Sequence, residues 1–342
     1  MFNTQKIHFI NNIDEHNTGD MATSPLNYFF DFFKSYNIIG HNVDCIKWME
    51  ISTHDIVIIG GGGLLYLVES WQKNIARLCE INLNVIAWGV GFNTHYGQPI
   101  CYPLDITRFK LIGIRDYQHP SSLPYLPCVS CLAKELRKKI PTRREVGIVE
   151  HAAFPIDGFT YEKISNAHNF QTITDFIASS KVILSSSYHI VYWATLMGKR
   201  TICINPFSTK FEYFKYKPIF YSGNLEADIT KTAIYEGCLE EAIELNNLFF
   251  DKVKEIVCSV IADKDNEYQK IYEMNRYVIL NRALEDYVAQ NPKPVMEKQT
   301  KRYPKWLIKL LCIFIPKKKN RARLRDRHMK QNCEIHTAKV SY

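Results

Sequence analysis

The sequence predicts an α/β fold with two doubly wound, Rossmann-like domains that face a cleft. Apolar runs of strand length alternate with segments of helical length along most of the chain. The strand-length runs are continuously apolar, as in parallel sheets that are covered on both faces. The chain has 342 residues, which is about twice a usual domain of ~150 residues, so two such domains are expected.

The first half of the chain predicts an N-terminal α/β domain over residues 1–133. Its clearest strand is the run HDIVII, which ends at the four glycines Gly60–Gly63 and is followed by a helical segment. The predicted strands are Lys6–Ile10, His54–Ile59, Asn84–Trp88 and Phe109–Ile114, and the predicted helices are Asn27–Tyr36 and Leu64–Cys79. These elements alternate, as they do in a parallel sheet with helical crossovers.

A charged stretch with one proline, KELRKKIPTRRE at residues 134–145, interrupts this pattern and is predicted to be the interdomain linker. A second α/β domain is then predicted over residues 146–292, with helical segments at its end. Gly198 occupies the position expected of a glycine that ends a helix. The predicted strands are Glu145–Glu150, Lys181–Leu184 and Thr201–Asn205, and the predicted helices are Thr174–Ser179, His189–Met197 and most of Leu239–Ala289.

The formal net charge of +8 is unevenly distributed. Residues 298–342 hold 14 Lys/Arg and 2 Asp/Glu, so the rest of the chain is net acidic, which argues against a nucleic-acid-binding body. Within the tail (293–342), residues 304–330 combine an apolar helical stripe with a Lys/Arg block. This pattern predicts a peripheral anchor on an anionic membrane surface. The alternatives are a core helix with a disordered tail, or an RNA-binding arm.

The chain has no recognisable secretory signal, and its longest apolar run is too short to span a bilayer. Its 10 cysteines are scattered, as free thiols are in a reducing cytoplasm. Only Cys128 and Cys131 form a CxxC, and no second ligand pair accompanies them, so no metal is predicted. A redox pair would need a thioredoxin-like context, which the flanking residues lack.

Ligands of doubly wound domains bind at the carboxyl ends of the strands. Gly60–Gly63 follow a strand there, and Gly61, Gly62 and Gly63 would let a donor approach the backbone closely. The segment matches neither GxGxxG nor a Walker A sequence, so no NAD, ordinary ATP or other cofactor is predicted. The alternative is a tight turn that serves helix–sheet packing.

The segment Ser185-Ser186-Ser187-Tyr188-His189 is the sharpest candidate site. The three serine hydroxyls and the start of a helix converge at a strand end, which suits a phosphate or carboxylate. His189 beside the positive end of the helix dipole is predicted to be neutral and to act as an acid or base. The alternative is a capping serine and a packed histidine.

Three further side chains follow predicted strands. Arg115 could clamp a carboxylate or phosphate in two-pronged geometry, and its alternative is a pair with Asp116 or a surface charge. Lys210 lies in the loop NPFSTKF beside the serine segment, where an exposed lysine is the alternative. His151 ends the first strand of the second domain and is predicted to face the cleft, unless it is structural.

Together, DIVIIGGGGLL, the strand that ends at Arg115, and VILSSSYHIVYWATLMGKRTICINPFSTKF resemble the polysaccharide pyruvyl transferase family. The early Asn17-Thr18-Gly19-Asp20 is similar to that family's Asn-x-Gly-Asp loop, which adds Asn17 and Asp20 as cleft candidates. The resemblance implies a fold like the GT-B glycosyltransferases. It implies transfer of pyruvate from phosphoenolpyruvate onto two sugar hydroxyls, in capsule or exopolysaccharide synthesis. It matches His189, Arg115 and Lys210 to family site residues.

The sequence departs from the family at two positions. Ser187 stands where many members have an arginine, and Ile190 stands where a glycine often follows the histidine. Two alternatives therefore stay open. One is a glycosyltransferase that uses a nucleotide sugar on the same scaffold. The other is a non-catalytic membrane-associated subunit of a glycan assembly complex. For either transferase the expected acceptor is a saccharide that can be lipid-linked.

Overall fold

The computed structural model describes residues 6–98 and 104–262, and in this range all strand pairs within its two sheets are parallel. The predicted α/β class is thereby confirmed. The strands are β1 (Lys6–Asn11), β2 (Asn37–Asn42), β3 (Ile56–Ile59), β4 (Gly62–Leu65), β5 (Val85–Phe92), β6 (Leu111–Ile114), β7 (Arg144–Glu150), β8 (Lys163–Ser165), β9 (Ser180–Ser185), β10 (Arg200–Cys203) and β11 (Ile219–Phe220).

Helices connect most of these strands. The α-helices are α1 (Thr18–Met21), α2 (Leu26–Phe33), α3 (Glu69–Ile81), α4 (Phe170–Ala178), α5 (Tyr188–Leu196), α6 (Leu225–Lys231) and α7 (Cys238–Ala262). Gly198 follows α5 with a φ of +66°, and its N–H donates to the Thr195 carbonyl. The predicted glycine stop is therefore confirmed, because a left-handed residue at this position favours glycine.

The first sheet has the strand order β2-β1-β3-β5, and β4 and β6 also pair with β5. The central strands β3 and β5 are fully buried, which explains why their sequences are apolar at successive positions rather than at alternate ones. The second sheet has the order β11-β10-β9-β7-β8. In each sheet the chain first adds one strand on one side of the starting strand, β1 or β7, and then adds the following strands on the other side. This is the order that the doubly wound prediction requires.

The segment after β3 differs from the prediction. Gly60–Gly63 do not open a helix, because Gly62–Leu65 form the short strand β4 and α3 begins only at Glu69. Gly62 pairs with Val90 and Leu65 with Phe92 across a register shift. The apolar residues after the glycines are therefore part of the sheet, and no helix N-terminus faces a ligand there.

The long helix α7 contributes to the cores of both sheets. Its first turns, with Leu239 and Ala242, belong to the apolar cluster around α5 and the second sheet. Further along, Phe249 and Val253 pack with residues of the first sheet, including Trp88 on β5. The Trp88 indole N–H donates to Asn246 Oδ1 over 2.8 Å, so this buried polar pair fixes the helix on the first sheet.

Residues 6–46 and 51–262 belong to one unit that contains both sheets, and residues 47–50 belong to another. The predicted linker 134–145 contains a 3-10 helix at Lys134–Arg137 and the first residues of β7. The domain boundaries stay predictions. The tail 293–342, including the anchor at 304–330, lies outside the described residues. Among the described helices, none has the length and apolar character that crossing a membrane requires.

Candidate functional site

A cavity of about 190 Å³ lies at the carboxyl ends of strands from both sheets. The first sheet provides the residues after β1, β5 and β6, and the second provides those after β7, β9 and β10. These residues are Asn12, Asn93, Arg115, His151, Ser187 and Lys210. The convergence follows from parallel strands, whose carboxyl ends share one edge of a sheet. In this protein the residues that follow the strands therefore line a cavity, as the rule for doubly wound domains predicts.

Arg115 follows β6 and is buried, with only 3% of its surface exposed. Its guanidinium lies 4.0 Å from the ring centre of Tyr188, which is a cation–π contact. Its Nε has no hydrogen-bond partner among the described residues, and neither has the Oδ1 of the adjacent Asp116. Asp116 instead accepts a bond from the Phe92 N–H through Oδ2. Among the described residues, Arg115 and Asp116 therefore do not form the direct ion pair that was the alternative interpretation.

His189 lies in the first turn of α5, beside Arg115. Its Nε2 is 3.3 Å from Nη1 of Arg115. A guanidinium can only donate, so Nε2 accepts and the ring proton resides on Nδ1. Burial lowers the pKa of His189 well below its usual range, and the positive charges of Arg115 and Lys210 lower it further. The predicted neutral imidazole is thus supported by geometry and by electrostatics.

Lys210 lies in a 3-10 turn after β10 and is 9% exposed. Its ammonium is 4.3 Å from the ring centre of Phe207. Burial lowers its pKa to about 7, and Arg115 acts in the same direction, whereas the Asp20 carboxyl raises it. A lysine that titrates near neutrality, in a cavity with a second cation, is typical of a functional position rather than of an exposed surface charge.

The loop Asn17–Asp20 forms one wall of the cavity. The Asn17 side chain caps α1 by accepting from the Gly19 N–H over 3.2 Å. Asp20 Oδ2 accepts from the amides of Asn12 (2.8 Å) and Asn17 (2.9 Å). Burial raises the pKa of Asp20, although the Asn12 hydrogen bond and nearby Lys210 oppose this effect. Both residues that the family resemblance suggested therefore line the cavity.

The three serines of the predicted donor segment have different positions. Ser187 lines the cavity, but Ser185 and Ser186 do not. Ser185 Oγ donates to the Val149 carbonyl over 2.5 Å. Ser186 Oγ donates to the Phe154 carbonyl and accepts from the His151 N–H. The Ser185 and Ser186 hydroxyls therefore connect the end of β9 to β7 and to the loop that follows β7. Of the three serines, Ser187 alone is positioned to contact a ligand.

His151 also lines the cavity, as predicted for the residue after β7. Its ring centre lies 5.3 Å from that of Phe154 and 5.6 Å from that of Phe207. Burial lowers the pKa of His151 to about 4, and the Lys210 charge lowers it too. The ring is therefore neutral at physiological pH and can accept or donate one hydrogen bond without adding charge.

Of the predicted donor-binding glycines, only Gly63 lines the cavity. A Cβ at Gly63 would lie 2.6 Å from the Asn93 amide nitrogen. Gly61 does not line the cavity, and its N–H donates to the Thr23 carbonyl. Gly62 has a φ of +99°, which favours glycine. Gly61 and Gly62 therefore shape the connection between β3 and β4, which agrees with the alternative of a tight turn.

Several cavity residues were not predicted. Asn12 and Asn93 directly follow β1 and β5, but the predicted strands ended earlier, at Ile10 and Trp88, so the rule that selected Arg115 did not select them. Tyr188 belongs to the predicted segment 185–189 but was given no role there. The stacked pair Phe154 and Phe207, with ring centres 3.9 Å apart, gave no sequence signal. Aromatic residues near a strand end are common in protein cores, so the sequence alone does not show that these residues line a cavity.

Cys128 lies close to this site although it does not line the cavity. Its Sγ is 3.8 Å from His189 Nε2 and 3.2 Å from Ser130 Oγ. Burial raises the thiol pKa of both Cys128 and Cys131, so each is a neutral thiol at physiological pH. In the described part of the chain, no group of three or more His, Cys, Asp or Glu side chains is arranged to hold a metal.

Gly19 is predicted to be essential for the position of His189. A Cβ at Gly19 would collide with His189 Nδ1, so Gly19→Ala should displace the imidazole and lower the free energy of unfolding by about 1–3 kcal/mol. At Gly40, a Cβ would have no neighbour within 4 Å, so Gly40→Ala serves as the matched control. Thermal unfolding of the two variants measures the difference, and equal stabilities would contradict this packing.

Neither a family model nor a curated protein sequence matches this chain. A solved structure of an uncharacterised protein from Klebsiella pneumoniae subsp. pneumoniae NTUH-K2044 aligns with a TM-score of 0.44 and 14% sequence identity. The alignment covers 64% of this chain and 94% of that protein. Similarity at this level carries no argument about function.

Proposed function

We propose that this protein is a transferase that moves the pyruvyl group of phosphoenolpyruvate onto two hydroxyls of a saccharide in the synthesis of a cell-surface polysaccharide. The observation that carries the proposal is a pair of buried cations, Arg115 and Lys210, beside a neutral His189. Neither cation forms an ion pair with a carboxylate among the described residues. Buried charge without a partner is costly, and an anionic ligand would compensate it.

Phosphoenolpyruvate fits this charge pattern because it carries a carboxylate and a phosphate. Arg115 offers a planar fork of N–H donors that matches either group. Lys210 acts as a point charge for the other, and its pKa near 7 would rise when an anion binds. Ser187 adds a hydroxyl at the start of α5. Preorganised donors of this kind stabilise the charge that develops on the leaving phosphate.

The reaction balances without a further reactant. Both sugar oxygens bond to C2 of the donor, and the C2–O bond to phosphate breaks. One hydroxyl proton is transferred to the enol CH₂, which becomes CH₃, and the other leaves with the phosphate. The neutral His189 is the group that takes the proton from an attacking hydroxyl. Its Nε2 accepts a hydrogen bond from Arg115 in the free protein and is released for this role when Arg115 pairs with the anionic donor.

A donor screen tests the proposal. Ligand binding at 100-fold over Kd stabilises a protein by about 2.7 kcal/mol, so phosphoenolpyruvate should raise the melting temperature and nucleotide sugars should not. Phosphate release should then depend on an added saccharide. Stabilisation by a nucleotide sugar with nucleotide release would instead identify a glycosyltransferase. No response to any donor would favour the non-catalytic subunit.

The affinity for phosphoenolpyruvate is predicted to fall as the pH rises through about 7. The Lys210 pKa is about 7 in the free protein, so above this pH the ammonium must first take up a proton before it can pair with the anion. The expected loss approaches about tenfold per pH unit. Isothermal titration at pH 6.5, 7.5 and 8.5 measures it.

Lys210→Arg provides the control for this pH dependence, because a guanidinium keeps its proton throughout this range. Once unfolding curves confirm that this variant is folded, its affinity should vary less with pH than that of the wild type. The residual dependence comes from the adjacent Asp116, because burial raises the pKa of that carboxyl to about 7. Titration of His151, with a pKa of about 4, lies below this range and does not contribute. A wild-type affinity that is independent of pH from 6.5 to 8.5 would refute the role of Lys210.

Two finer parts of the proposal concern architecture and location. We propose that the two sheets belong to domains that face each other as in the GT-B glycosyltransferases, with the donor in the cavity described above. The protein would work at the inner face of the cell membrane, on a saccharide that can be lipid-linked. The membrane anchor at residues 304–330 lies outside the described residues and stays a prediction.

A further inference from the structure

Two neighbouring side chains of the cavity, Asn93 and Asp20, each have an oxygen atom without a hydrogen-bond partner among the described residues. Asn93 is 5% exposed, and its Oδ1 is buried without a partner. Asp20 accepts bonds from the amides of Asn12 and Asn17, but both bonds end on Oδ2. Its Oδ1 is therefore still available as an acceptor. Both oxygens can receive O–H donors from a ligand.

The Asn93 side chain is held in place by its neighbours. Its backbone N–H donates to the Leu65 carbonyl over 2.8 Å, and its side chain occupies the space that a Cβ at Gly63 would need. A fixed and buried acceptor without a donor destabilises the free protein, because it has lost water and gained nothing. A ligand hydroxyl at this position would restore the missing hydrogen bond.

Apolar surface accompanies these acceptors in the lining. Trp71 and Leu67 both contribute to the cavity. The Trp71 indole N–H is already used, since it donates to Asp44 Oδ1. The remaining surface of the ring is apolar. A few fixed polar groups beside an aromatic side chain suit a polyhydroxylated ring, which has both hydroxyl edges and C–H faces.

We infer that Asn93 and Asp20 form the subsite that binds the acceptor sugar through two hydroxyl groups, and that this sugar is an uncharged hexose. The inference rests on the proposed function, since a ketal requires two hydroxyls of one sugar to reach the same carbon. The Asp20 carboxyl adds the charge selection. It repels a carboxylate or phosphate on the bound sugar, whereas it accepts hydrogen bonds from neutral hydroxyls.

Direct sugar binding tests the subsite with inorganic phosphate in place of the donor, so that Arg115 and Lys210 are already paired with an anion and cannot attract a charged sugar. The probes are methyl hexopyranosides and methyl glucuronide, and ligand-detected NMR titration gives their Kd values. The wild-type protein should bind at least one neutral hexoside more tightly than the glucuronide. Asn93→Ala should weaken this binding at least about tenfold, because a hydroxyl loses its acceptor. Asn27→Ala is the matched control, since Asn27 is exposed and its amide donates only to the Met21 carbonyl.

Two more variants make the test independent of a single substitution. Gly63→Ala should reduce hexoside binding as Asn93→Ala does, since its methyl group would push the Asn93 amide away. Asp20→Asn removes the charge at constant shape, so it should bind the glucuronide more tightly than the wild type. Circular dichroism and unfolding curves verify that each variant is folded.

The outcomes separate this inference from the proposed function. If phosphoenolpyruvate does not bind but the hexoside results hold, the pyruvyl transfer proposal fails and the subsite stands. If Asn93→Ala binds hexosides as the wild type does, the subsite is wrong, whatever the donor does. No hexoside binding by the wild type, or equal binding of the glucuronide, would also overturn it.

Discussion

Replacement of His189 by asparagine is expected to lower kcat by about 10²–10⁴-fold, the usual contribution of a positioned acid or base. The imidazole is buried, and burial with two neighbouring cations keeps it unprotonated. Its Nε2 is therefore unprotonated at physiological pH and can take a proton once Arg115, its partner in the free protein, pairs with the donor, whereas the amide of asparagine cannot act as a base. The measurement is the rate of saccharide-dependent phosphate release from phosphoenolpyruvate at saturating donor.

The control for this variant is His168→Asn, which changes an exposed histidine outside the cavity and should leave kcat unchanged. His189→Asn should still bind phosphoenolpyruvate, because Arg115 and Lys210 remain. A kcat within threefold of the wild type, in a folded His189→Asn protein, would remove His189 from the mechanism. Loss of donor binding with unchanged turnover of bound donor would assign it to binding instead.

Replacement of Arg115 by methionine is expected to have opposite effects on activity and stability. Removal of one preorganised donor costs roughly 10²–10³ in kcat, and the affinity for phosphoenolpyruvate should fall as well. The free energy of unfolding should stay constant or rise, since Arg115 is a buried cation whose Nε lacks a partner. Phosphate release and chemical unfolding measure the two effects.

Arg144→Met is the matched control, because Arg144 also lies over an aromatic ring, at 4.2 Å from the Phe176 centre. Unlike Arg115, it has an ion-pair partner, Glu162. Its replacement should lower stability and leave phosphate release unchanged. If Arg115→Met were destabilised as much as Arg144→Met and kept its activity, the charge of Arg115 would be structural.

Much of the fold could be predicted because parallel strands are buried on both faces, so runs such as Ile56–Ile59 are apolar at every position. The topology then determines which residues meet. Arg115, His151 and His189 lie far apart in sequence, yet each follows a strand, and parallel strands bring their carboxyl ends to one cavity. The position after a strand was a better guide than the residue type alone.

The remaining details depend on contacts that a sequence does not specify. The residues Leu64 and Leu65 suit a helix or a strand equally well, and pairing of Leu65 with Phe92 decides for the strand. The Ser185 and Ser186 hydroxyls could bind a ligand or a carbonyl, and the neighbouring chain supplies the carbonyl. The Asn93 amide fits at the cavity wall only because Gly63 has no Cβ.

The path of α7 has a consequence for synthesis on the ribosome. All strands of the first sheet have been made once β6 ends at Ile114, but the part of α7 that covers Trp88 follows only after Cys238. At ~5–20 residues per second, the apolar face that α7 covers stays exposed for roughly 6 to 25 seconds. During this interval the nascent chain exposes aromatic surface to solvent. We therefore expect recognition by a chaperone to matter more for its yield than the final stability does.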